Sequence, residues 1–157
     1  MSAKEKEAFK TICRNKKASF DYELGERLEA GLVLSGTEVK SLRLGKANLV
    51  DSYVKIKGSE AFLVGAHISP YNQAFYGNHD PMRQRKLLLH GREIKRLTGK
   101  SVEKGKSVIP LRMYFKNGLA KVEIALAKGK KTRDKRESMK EADSKREMAR
   151  AMREHNR

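Results

Sequence analysis

The strongest local signal in this chain is residues 111–126, which read LRMYFKNGLAKVEIAL. Asn117 and Gly118 separate two runs of strand-forming residues, and both tolerate the positive φ angles that a two-residue β-turn requires. After the turn, Val122, Ile124 and Leu126 alternate with more polar neighbours, as in a strand that is buried on one face. The segment therefore predicts an antiparallel hairpin at the centre of the fold.

Further strands are predicted upstream of this hairpin. The same alternation, with one set of side chains buried, is found at Val50, Ser52, Val54 and Ile56, and again at Phe62, Val64, Ala66 and Ile68. Two earlier segments, Ser19 to Leu24 and Gly31 to Ser35, are also predicted to be strands. Sheet structure therefore dominates the part of the chain before residue 127.

Two short helices interrupt the strands. The first is predicted over Gly36–Arg43, with Thr37 as its N-cap and Gly45 just beyond its end. The second is predicted over Leu87–Leu97, where the apolar residues share one face and Gly99 ends the run. About six strands and two short helices in roughly 110 residues predict a mainly β fold, a small barrel of the oligonucleotide-binding (OB) type.

The last 30 residues have a different composition from the rest. Leu126 is the last Leu, Ile, Val, Phe or Tyr, and residues 128–157 contain 12 Lys or Arg against 6 Asp or Glu. The segment mixes charges at helical spacing from about Thr132 to Glu154, but a helix without a core to pack on is marginal in water. We therefore predict a flexible basic lead at 1–14, a barrel domain at 15–127 and a basic tail at 128–157, disordered when free and helical on a partner.

The net charge of +17 indicates a polyanionic partner. The sequence has no run of about 20 apolar residues and no signal-peptide pattern, which predicts a cytoplasmic protein that does not enter membranes. The single cysteine, Cys13, has no nearby CxxC or His and is expected to be an unpaired thiol. Charge alone leaves open whether the partner is a nucleic acid, an acidic protein or a membrane surface.

Catalytic and metal-binding patterns are weak. The four histidines are scattered, and neither Gly-Lys-Ser triplet has the earlier glycine of a phosphate-binding loop. A nuclease site at His79-Asp80, near Arg83, Arg85 and Lys86, is the alternative to a simple turn, and the turn fits the sequence Asn78-His79-Asp80-Pro81 better. We expect no enzyme activity, no metal and no cofactor.

Basic clusters beside aromatic residues favour RNA as the polyanion. Asn15-Lys16-Lys17 precedes Phe20 and Tyr22, and the other clusters are Arg83 with Arg85 and Lys86, and the run that starts at Lys128. Any one cluster could be an ordinary solvated face, but three of them with this net charge favour RNA. If Phe20 and Tyr22 lie on one strand they share a face, which is either the core or a stacking surface.

Several segments resemble successive signatures of the SsrA-binding protein (SmpB) family. They are Asn15-Lys16-Lys17-Ala18, Asp21-Tyr22, Glu29-Ala30-Gly31, Gly36-Thr37-Glu38-Val39-Lys40-Ser41-Leu42-Arg43, Arg85-Lys86-Leu87-Leu88-Leu89-His90, Ala127-Lys128-Gly129-Lys130-Lys131 and Asp134-Lys135-Arg136. The similarity runs in order from about Ile12 to the C-terminus. It differs from the common family pattern at Phe20, where relatives often have His, and at Arg133, where they often have an imidazole or phenol ring.

The resemblance implies a non-catalytic adaptor that binds the tRNA-like domain of transfer-messenger RNA and delivers it to stalled ribosomes. The residues expected to face this RNA are Asn15, Lys16, Lys17, Tyr22, Glu29, Leu88, His90 and Lys121. The residues expected to enter the empty messenger channel near the decoding centre are Lys128, Gly129, Lys130, Lys131, Arg133, Asp134, Lys135 and Arg136. Small-subunit rRNA is then a second partner, the tRNA-carrying elongation factor an indirect one, and the chain a monomer.

The alternative from a different class is a structural ribosomal protein that binds rRNA permanently through a basic extension. Composition does not separate the two. An adaptor should be substoichiometric to ribosomes and should co-purify with one small RNA.

Overall fold

The computed structural model describes residues 9–74, 77–101, 106–130 and 132–156 of the chain. In this part the structure has nine strands and four helices. In chain order they are β1 Phe9–Arg14, α1 Ala18–Asp21, β2 Tyr22–Leu32, α2 Gly36–Arg43, β3 Ala47–Asn48, β4 Tyr53–Lys57, β5 Glu60–Val64, β6 His67–Ile68, β7 Arg85–Leu88, α3 Gly91–Ser101, β8 Lys106–Lys116, β9 Leu119–Gly129 and α4 Thr132–His155.

Seven strands form one antiparallel sheet in the order β1-β8-β4-β5-β7-β2-β9, and β3 pairs with β6. β8 also pairs with β9 along almost its whole length. The pairings therefore return to their starting strand, passing through β8, β4, β5, β7, β2 and β9. Of the seven strands described for this sheet, β1 alone lies outside the circuit, where it pairs with β8. The fold is mainly β with short helices, as predicted.

The predicted hairpin is confirmed. β8 and β9 flank Asn117 (φ 51°) and Gly118 (φ 79°), and Lys116 pairs with Leu119 on either side of the turn. Two consecutive positive φ angles give the turn a twist that matches the right-handed twist of the strands. The hairpin register is consequently fixed locally, and it aligns residues across the sheet as far as Arg112.

The main core lies inside the circuit of strands and includes the fully buried residues Leu42, Leu63, Met113 and Ile124. A smaller cluster lies on the other face of the hairpin, where Ala18, Ile109, Leu111, Ala125 and Ala127 pack together. Ala125 points away from the main core and is covered by the second cluster. The hairpin is thus buried on both faces near its open end.

A buried ion pair ties α2 to β7 and to the loop before it. Glu38 and Arg85 are both completely buried, and the Arg85 Nε donates a hydrogen bond to one Glu38 carboxylate oxygen. The other oxygen accepts from Arg83 and from the backbone N–H of Ser35 at 2.9 Å. Burial by itself would raise the pKa of Glu38, but these hydrogen bonds outweigh it and lower the pKa from 4.5 to about 2.

This depressed pKa predicts a loss of stability in acid. Because Glu38 binds a proton more weakly in the folded chain than in the unfolded chain, its contribution is complete above about pH 5 and disappears as the pH falls toward about 2. We expect a loss of about 3 kcal/mol from this group. Urea unfolding across that pH range measures it. In the matched variant Glu38→Gln, which starts from a lower stability, this part of the pH dependence should be missing.

The early part of the sheet differs from the prediction. Only the second half of the predicted strand Ser19 to Leu24 is a strand: α1 covers Ala18–Asp21, and β2 begins at Tyr22. The chain turns there because Ala18 packs into the second cluster and Lys17 O accepts hydrogen bonds from the N–H groups of Phe20 and Asp21. Phe20 and Tyr22 therefore do not share a strand face, and both are half-buried.

The other boundaries of β2 and α2 are also shifted. The predicted strand Gly31 to Ser35 is instead the end of β2, which stops at Leu32. The N-cap of α2 is Ser35 and not Thr37, because Ser35 and Glu38 form a capping box that satisfies backbone N–H groups at the start of the helix. Gly45 does follow the helix with a positive φ of 71°.

The alternation along β5 was predicted in the wrong phase. Ala61 and Leu63 are buried, whereas Phe62 and Val64 are only half-buried. Gly65, at φ 81°, interrupts the extended backbone. The sequence beyond it, with Ala66 and Ile68 buried, therefore does not continue the phase of the strand before it.

The second predicted helix begins four residues too early. Leu87 lies in β7, and α3 covers Gly91–Ser101, so the glycine expected to end the helix at position 99 lies inside it. The helix starts after His90, whose backbone N–H donates to the Glu93 carboxylate at 3.0 Å while its carbonyl accepts from the first turn. Of the three leucines before it, Leu87 and Leu88 end β7, with Leu87 inward and Leu88 outward.

The predicted flexible lead at 1–14 is wrong for its described part. Residues Phe9–Arg14 form β1, which pairs with β8, and Ile12 and Cys13 pack against the main core. Burial raises the pKa of the Cys13 thiol to about 11, although the hydrogen bond with the backbone of Met113 lowers it. Cys13 is a free thiol, as expected.

Candidate nucleic-acid interface

A row of paired residues crosses four strands on the outer surface of the sheet. Tyr114 of β8 pairs with Lys121 of β9, Lys121 pairs with Gly31 of β2, and Gly31 pairs with Leu88 of β7. Paired residues in a sheet point to the same face. The row therefore places Lys121 and Leu88, two residues that the family resemblance selects, on one surface with only a glycine between them.

Gly31 matters here because it has no side chain. A Cβ at this position would lie 3.2 Å from the Leu88 Cβ, which is closer than ordinary packing allows. Leu88 packs over the glycine and is 56% exposed. The glycine thereby leaves room for the apolar side chain of Leu88 at the end of the row.

A groove of about 610 Å³ is lined by three residues of this row, Gly31, Leu88 and Lys121. It brings together four of the eight residues expected to face RNA, namely Glu29, Leu88, His90 and Lys121. His90 is exposed at the start of α3, and Lys86 adds a second cation to the groove wall. The groove thus offers cations, an imidazole ring and an apolar side chain within one concave surface. These groups suit phosphates and unstacked bases.

The other four predicted residues lie around α1. Lys16 and Lys17 are exposed, and Lys16 lines a separate groove of about 480 Å³ together with Asn15. The Asn15 side chain donates to the Pro110 carbonyl at 3.0 Å, and its backbone N–H donates to the Leu111 carbonyl at 2.7 Å. Asn15 therefore also holds the turn that presents the two lysines. Tyr22 packs half-buried against the second hydrophobic cluster.

A third groove, of about 300 Å³, lies between the first two, because it shares residues with both. It shares Glu29 with the larger groove and Arg27, Arg112 and Glu123 with the groove near Asn15. Its remaining lining residues are Phe9, Leu28, Tyr114 and Lys116. None of its lining residues except Glu29 was predicted to face RNA.

Part of this middle groove could have been found from the hairpin alone. A two-residue turn at Asn117 and Gly118 places Tyr114 opposite Lys121 and Arg112 opposite Glu123, as observed. Because Lys121 was predicted to face RNA, its cross-strand neighbours should have been candidates as well. Phe9 carried no such signal, since its position depends on the pairing of β1 with β8.

The charges of the middle groove are arranged in pairs. Glu123 lies 3.3 Å from Arg112 and 3.6 Å from Arg27, and Glu29 lies 3.6 Å from Lys116. The Tyr114 hydroxyl donates to the Glu29 carboxylate. Burial raises the pKa of Tyr114, and the hydrogen bond and charge of Glu29 raise it further, so the hydroxyl keeps its proton and remains a donor.

One predicted basic cluster is divided by the fold. Arg85 is completely buried in the ion pair with Glu38, so it does not reach the surface, whereas Lys86 is exposed beside it. The turn before this cluster is also accounted for by local bonds. The His79 ring bonds to Thr37 Oγ1 and to the Ile68 carbonyl, both at 2.9 Å, and Asp80 Oδ1 accepts from the Met82 N–H at 2.9 Å.

The residues expected to act in the tail occupy three different settings. Lys128 and Gly129 end β9, and Lys130 is tied to α1 through hydrogen bonds from its backbone N–H to Asp21 O and from its Nζ to Ser19 O. Lys131 lies outside the described residues. Arg133, Asp134, Lys135 and Arg136 lie in the first turns of α4, which covers nearly the same span as the predicted tail helix.

The structure shows neither a metal cluster nor a membrane-spanning helix in the residues it describes. Groups of three or more His, Cys, Asp or Glu that could hold a metal ion are absent from residues 9–74, 77–101, 106–130 and 132–156. Within the same ranges, no helix is long and apolar enough to cross a membrane.

Comparisons with known proteins agree on one family. A family model described as SmpB protein matches residues 12–154. The chain is 63% identical over 145 residues to the SsrA-binding protein of Geobacter metallireducens, covering 92% of this chain and 95% of that protein. It is 59% identical over 144 residues to the SsrA-binding protein of Syntrophobacter fumaroxidans, covering 92% and 89%.

The fold is also similar to that of a solved chain. A chain from a structure described as "tmRNA-SmpB: a journey to the center of the bacterial ribosome" superposes with a TM-score of 0.65 at 47% identity. The match covers 76% of this chain and 85% of the solved one.

Proposed function

Because this chain belongs to the SmpB family of SsrA-binding proteins, we propose that it binds the tRNA-like domain of transfer-messenger RNA. It delivers that RNA to stalled ribosomes for trans-translation and tagging. The observation that carries the proposal is the groove that Glu29, Leu88, His90 and Lys121 line together. Residues far apart in the sequence meet there, as an RNA-binding surface requires.

The scaffold is best described as an OB-type barrel. The closed circuit of pairings through six strands supports this reading, since closure removes the free edges that an open sheet would expose. The proposed domain comprises residues 15–127 together with β1, and the proposed tail comprises residues 128–157, of which the first two end β9. A rigid surface of this kind recognises folded RNA by its shape and by its phosphates.

The eight proposed RNA-facing residues divide by physical role. Lys16, Lys17 and Lys121 supply positive charge for phosphates, and Leu88 and His90 supply surfaces for bases or sugars. Glu29 accepts the Tyr114 hydrogen bond and orients that ring, and Asn15 holds the turn before Lys16. Tyr22 completes the set at the start of β2.

The tail is proposed to detect a vacant messenger channel near the decoding centre. The residues assigned to this role are Lys128, Gly129, Lys130, Lys131, Arg133, Asp134, Lys135 and Arg136, six of which carry positive charge. We propose that the helix has little stability in free solution because its described side chains are almost all exposed. rRNA phosphates would then stabilise it by neutralising its charges when messenger is absent.

The remaining features of the proposal follow from this adaptor role. The protein acts in the cytoplasm as a monomer, without a cofactor and without catalysing a reaction. It meets the tRNA-carrying elongation factor indirectly, through the RNA. A guanidinium at position 133 can stack on a base as the more common ring does, so the departure there keeps the proposed role.

The test is the identity and amount of RNA that co-purifies with the protein when it carries an affinity tag. Sequencing of this RNA should show one predominant small RNA, transfer-messenger RNA, and the protein should be substoichiometric to ribosomes. A structural ribosomal protein would instead be present once on every ribosome. Equal amounts of protein and ribosome, with rRNA as the main co-purified RNA, would contradict the proposal.

A further inference from the structure

An exposed aromatic stack lies in the middle groove. Phe9 of β1 is 48% exposed, and its ring centroid lies 4.6 Å from that of Tyr114 at an interplanar angle of 31°. Tyr114 itself is almost completely buried. The Tyr114 ring is therefore a fixed support, and the Phe9 ring presents an open surface to solvent.

Arg112 completes the stack and is held in position. Its guanidinium carbon lies 5.1 Å from the Phe9 centroid and 5.0 Å from the Tyr114 centroid, within cation–π distance of both. Glu123 accepts a hydrogen bond from its Nη2 at 3.3 Å, and the Tyr114 hydroxyl is fixed by Glu29. The stack consequently needs little ordering when a ligand binds.

The position of the stack is the main argument for its function. The middle groove lies between the groove that contains Leu88, His90 and Lys121 and the groove that contains Asn15 and Lys16. An RNA that contacts both sets must cross the middle groove. Arg27 and Lys116 line the same groove, so a phosphate backbone entering it meets cations that can exchange their carboxylate partners for phosphates.

We propose that Phe9, supported by Tyr114 and Arg112, is a stacking platform for one unpaired base of the bound RNA. This inference rests on the proposed function and extends it by naming a binding residue outside the eight expected ones. Aromatic rings and guanidinium planes are the side chains on which unpaired bases stack. The alternative is a purely structural role, in which Phe9 only packs β1 onto β8. The experiment separates the two roles.

The first measurement is the affinity of the full chain and of Phe9→Ala for the tRNA-like domain of transfer-messenger RNA. Loss of one stacked base predicts a weakening of about 5- to 100-fold. The dependence of log affinity on log salt should keep its slope, because no phosphate contact is removed. Tyr53→Ala is the matched control, since Tyr53 is also an exposed strand aromatic, 46% exposed, but lines none of the three grooves.

The second measurement uses fluorescence and does not depend on how well the alanine variant folds. The chain contains no tryptophan, so Phe9→Trp introduces a single indole at the platform, and Tyr53→Trp introduces one at the control position. RNA binding should quench the indole at position 9 and leave the one at position 53 unchanged, with affinity close to that of the original chain.

The outcomes separate this inference from the proposed function. If the original chain binds the RNA but Phe9→Ala binds equally tightly, or the indole at position 9 is not quenched, the platform is wrong and the function stands. If the original chain fails to bind the RNA, the function itself is wrong. A thermal unfolding curve of each variant shows whether a change in affinity comes from loss of the fold.

Discussion

A chain ending at residue 131 will bind transfer-messenger RNA almost as tightly as the full chain and will fail to support tagging on stalled ribosomes. All three grooves of the proposed interface are lined by residues that precede position 128. The only element with which α4 makes substantial contact among the described residues is α1. Removal of the helix therefore leaves the RNA-binding surface folded while it removes the segment proposed to enter the messenger channel.

Two measurements on the same protein test this expectation. Affinity for the isolated tRNA-like domain should change little, and the yield of tagged product from ribosomes stalled on a truncated message should fall to background. The difference is expected because we propose that the strand domain holds the first partner and the tail holds the second. Equal tagging by the shortened chain would refute the role assigned to the tail.

A comparison of two double variants distinguishes the loss of specific contacts of the tail from the loss of its length. Lys135→Ala with Arg136→Ala removes two cations from the first turns of α4, and Lys145→Ala with Arg146→Ala removes the same charge from its middle. Both pairs lie in the same helix. The first pair should reduce tagging far more than the second, because the family resemblance places only the first within the ribosome-binding segment.

The behaviour of the isolated tail supplies a separate check. A peptide of residues 128–157 should show little helical circular dichroism in dilute buffer, since a helix without packing partners is marginal even at this length. Its like-charged pairs at i, i+4 spacing, Glu137 with Glu141 and Arg146 with Arg150, weaken it further. A stable helix in the free peptide would contradict the proposal that the partner orders the tail.

The elements that the sequence predicts well are those controlled by neighbouring residues. Asn117 and Gly118 determine their hairpin because the turn and the two strands are contiguous. The segment from Ser35 to Gly45 likewise contains its own capping box and its own terminal glycine. Such elements depend on backbone conformations and hydrogen bonds within about ten residues.

The failures concern residues whose environment comes from distant parts of the chain. Arg85 appeared to be a surface cation in a basic cluster, but it is buried because Glu38, 47 residues away, provides a countercharge. Residues Phe9–Arg14 were predicted to belong to a flexible lead. They form a strand by pairing with β8, which begins almost 100 residues later. The alternation of apolar and polar residues and the charge of a short segment cannot reveal such long-range partners.

The candidate interface shows the same division. The family resemblance selected Glu29, Leu88, His90 and Lys121 without indicating that they share a groove, and the strand pairings bring them together. Arg112 and Tyr114 could have been inferred from the hairpin register. Phe9 was not, because its contribution to the surface depends on a strand that the sequence did not predict.

Replacement of Arg85 by alanine will destabilise the fold severely, whereas replacement of its neighbour Lys86 will have almost no effect on stability. Both residues lie in β7 and both are paired with a glutamate, which makes them a matched comparison. The Lys86–Glu60 pair is about half exposed and should contribute at most about 1 kcal/mol. Arg85 and Glu38 are fully buried, and loss of one partner should cost roughly 3–5 kcal/mol.

The size of the Arg85 effect follows from what the guanidinium leaves behind. Without it, the Glu38 carboxylate keeps only Arg83 and the Ser35 N–H as partners, and the Ala66 and Pro81 carbonyls each lose a hydrogen bond. Urea unfolding of Arg85→Ala, Glu38→Ala and the double variant measures the coupling. The double variant should lose much less than the sum of the single losses, since removing both charges leaves no buried ion unpaired. If instead the losses simply add, or if Arg85→Ala is no less stable than Lys86→Ala, the buried pair does not hold α2 against β7, and the acid sensitivity assigned to Glu38 would need another origin.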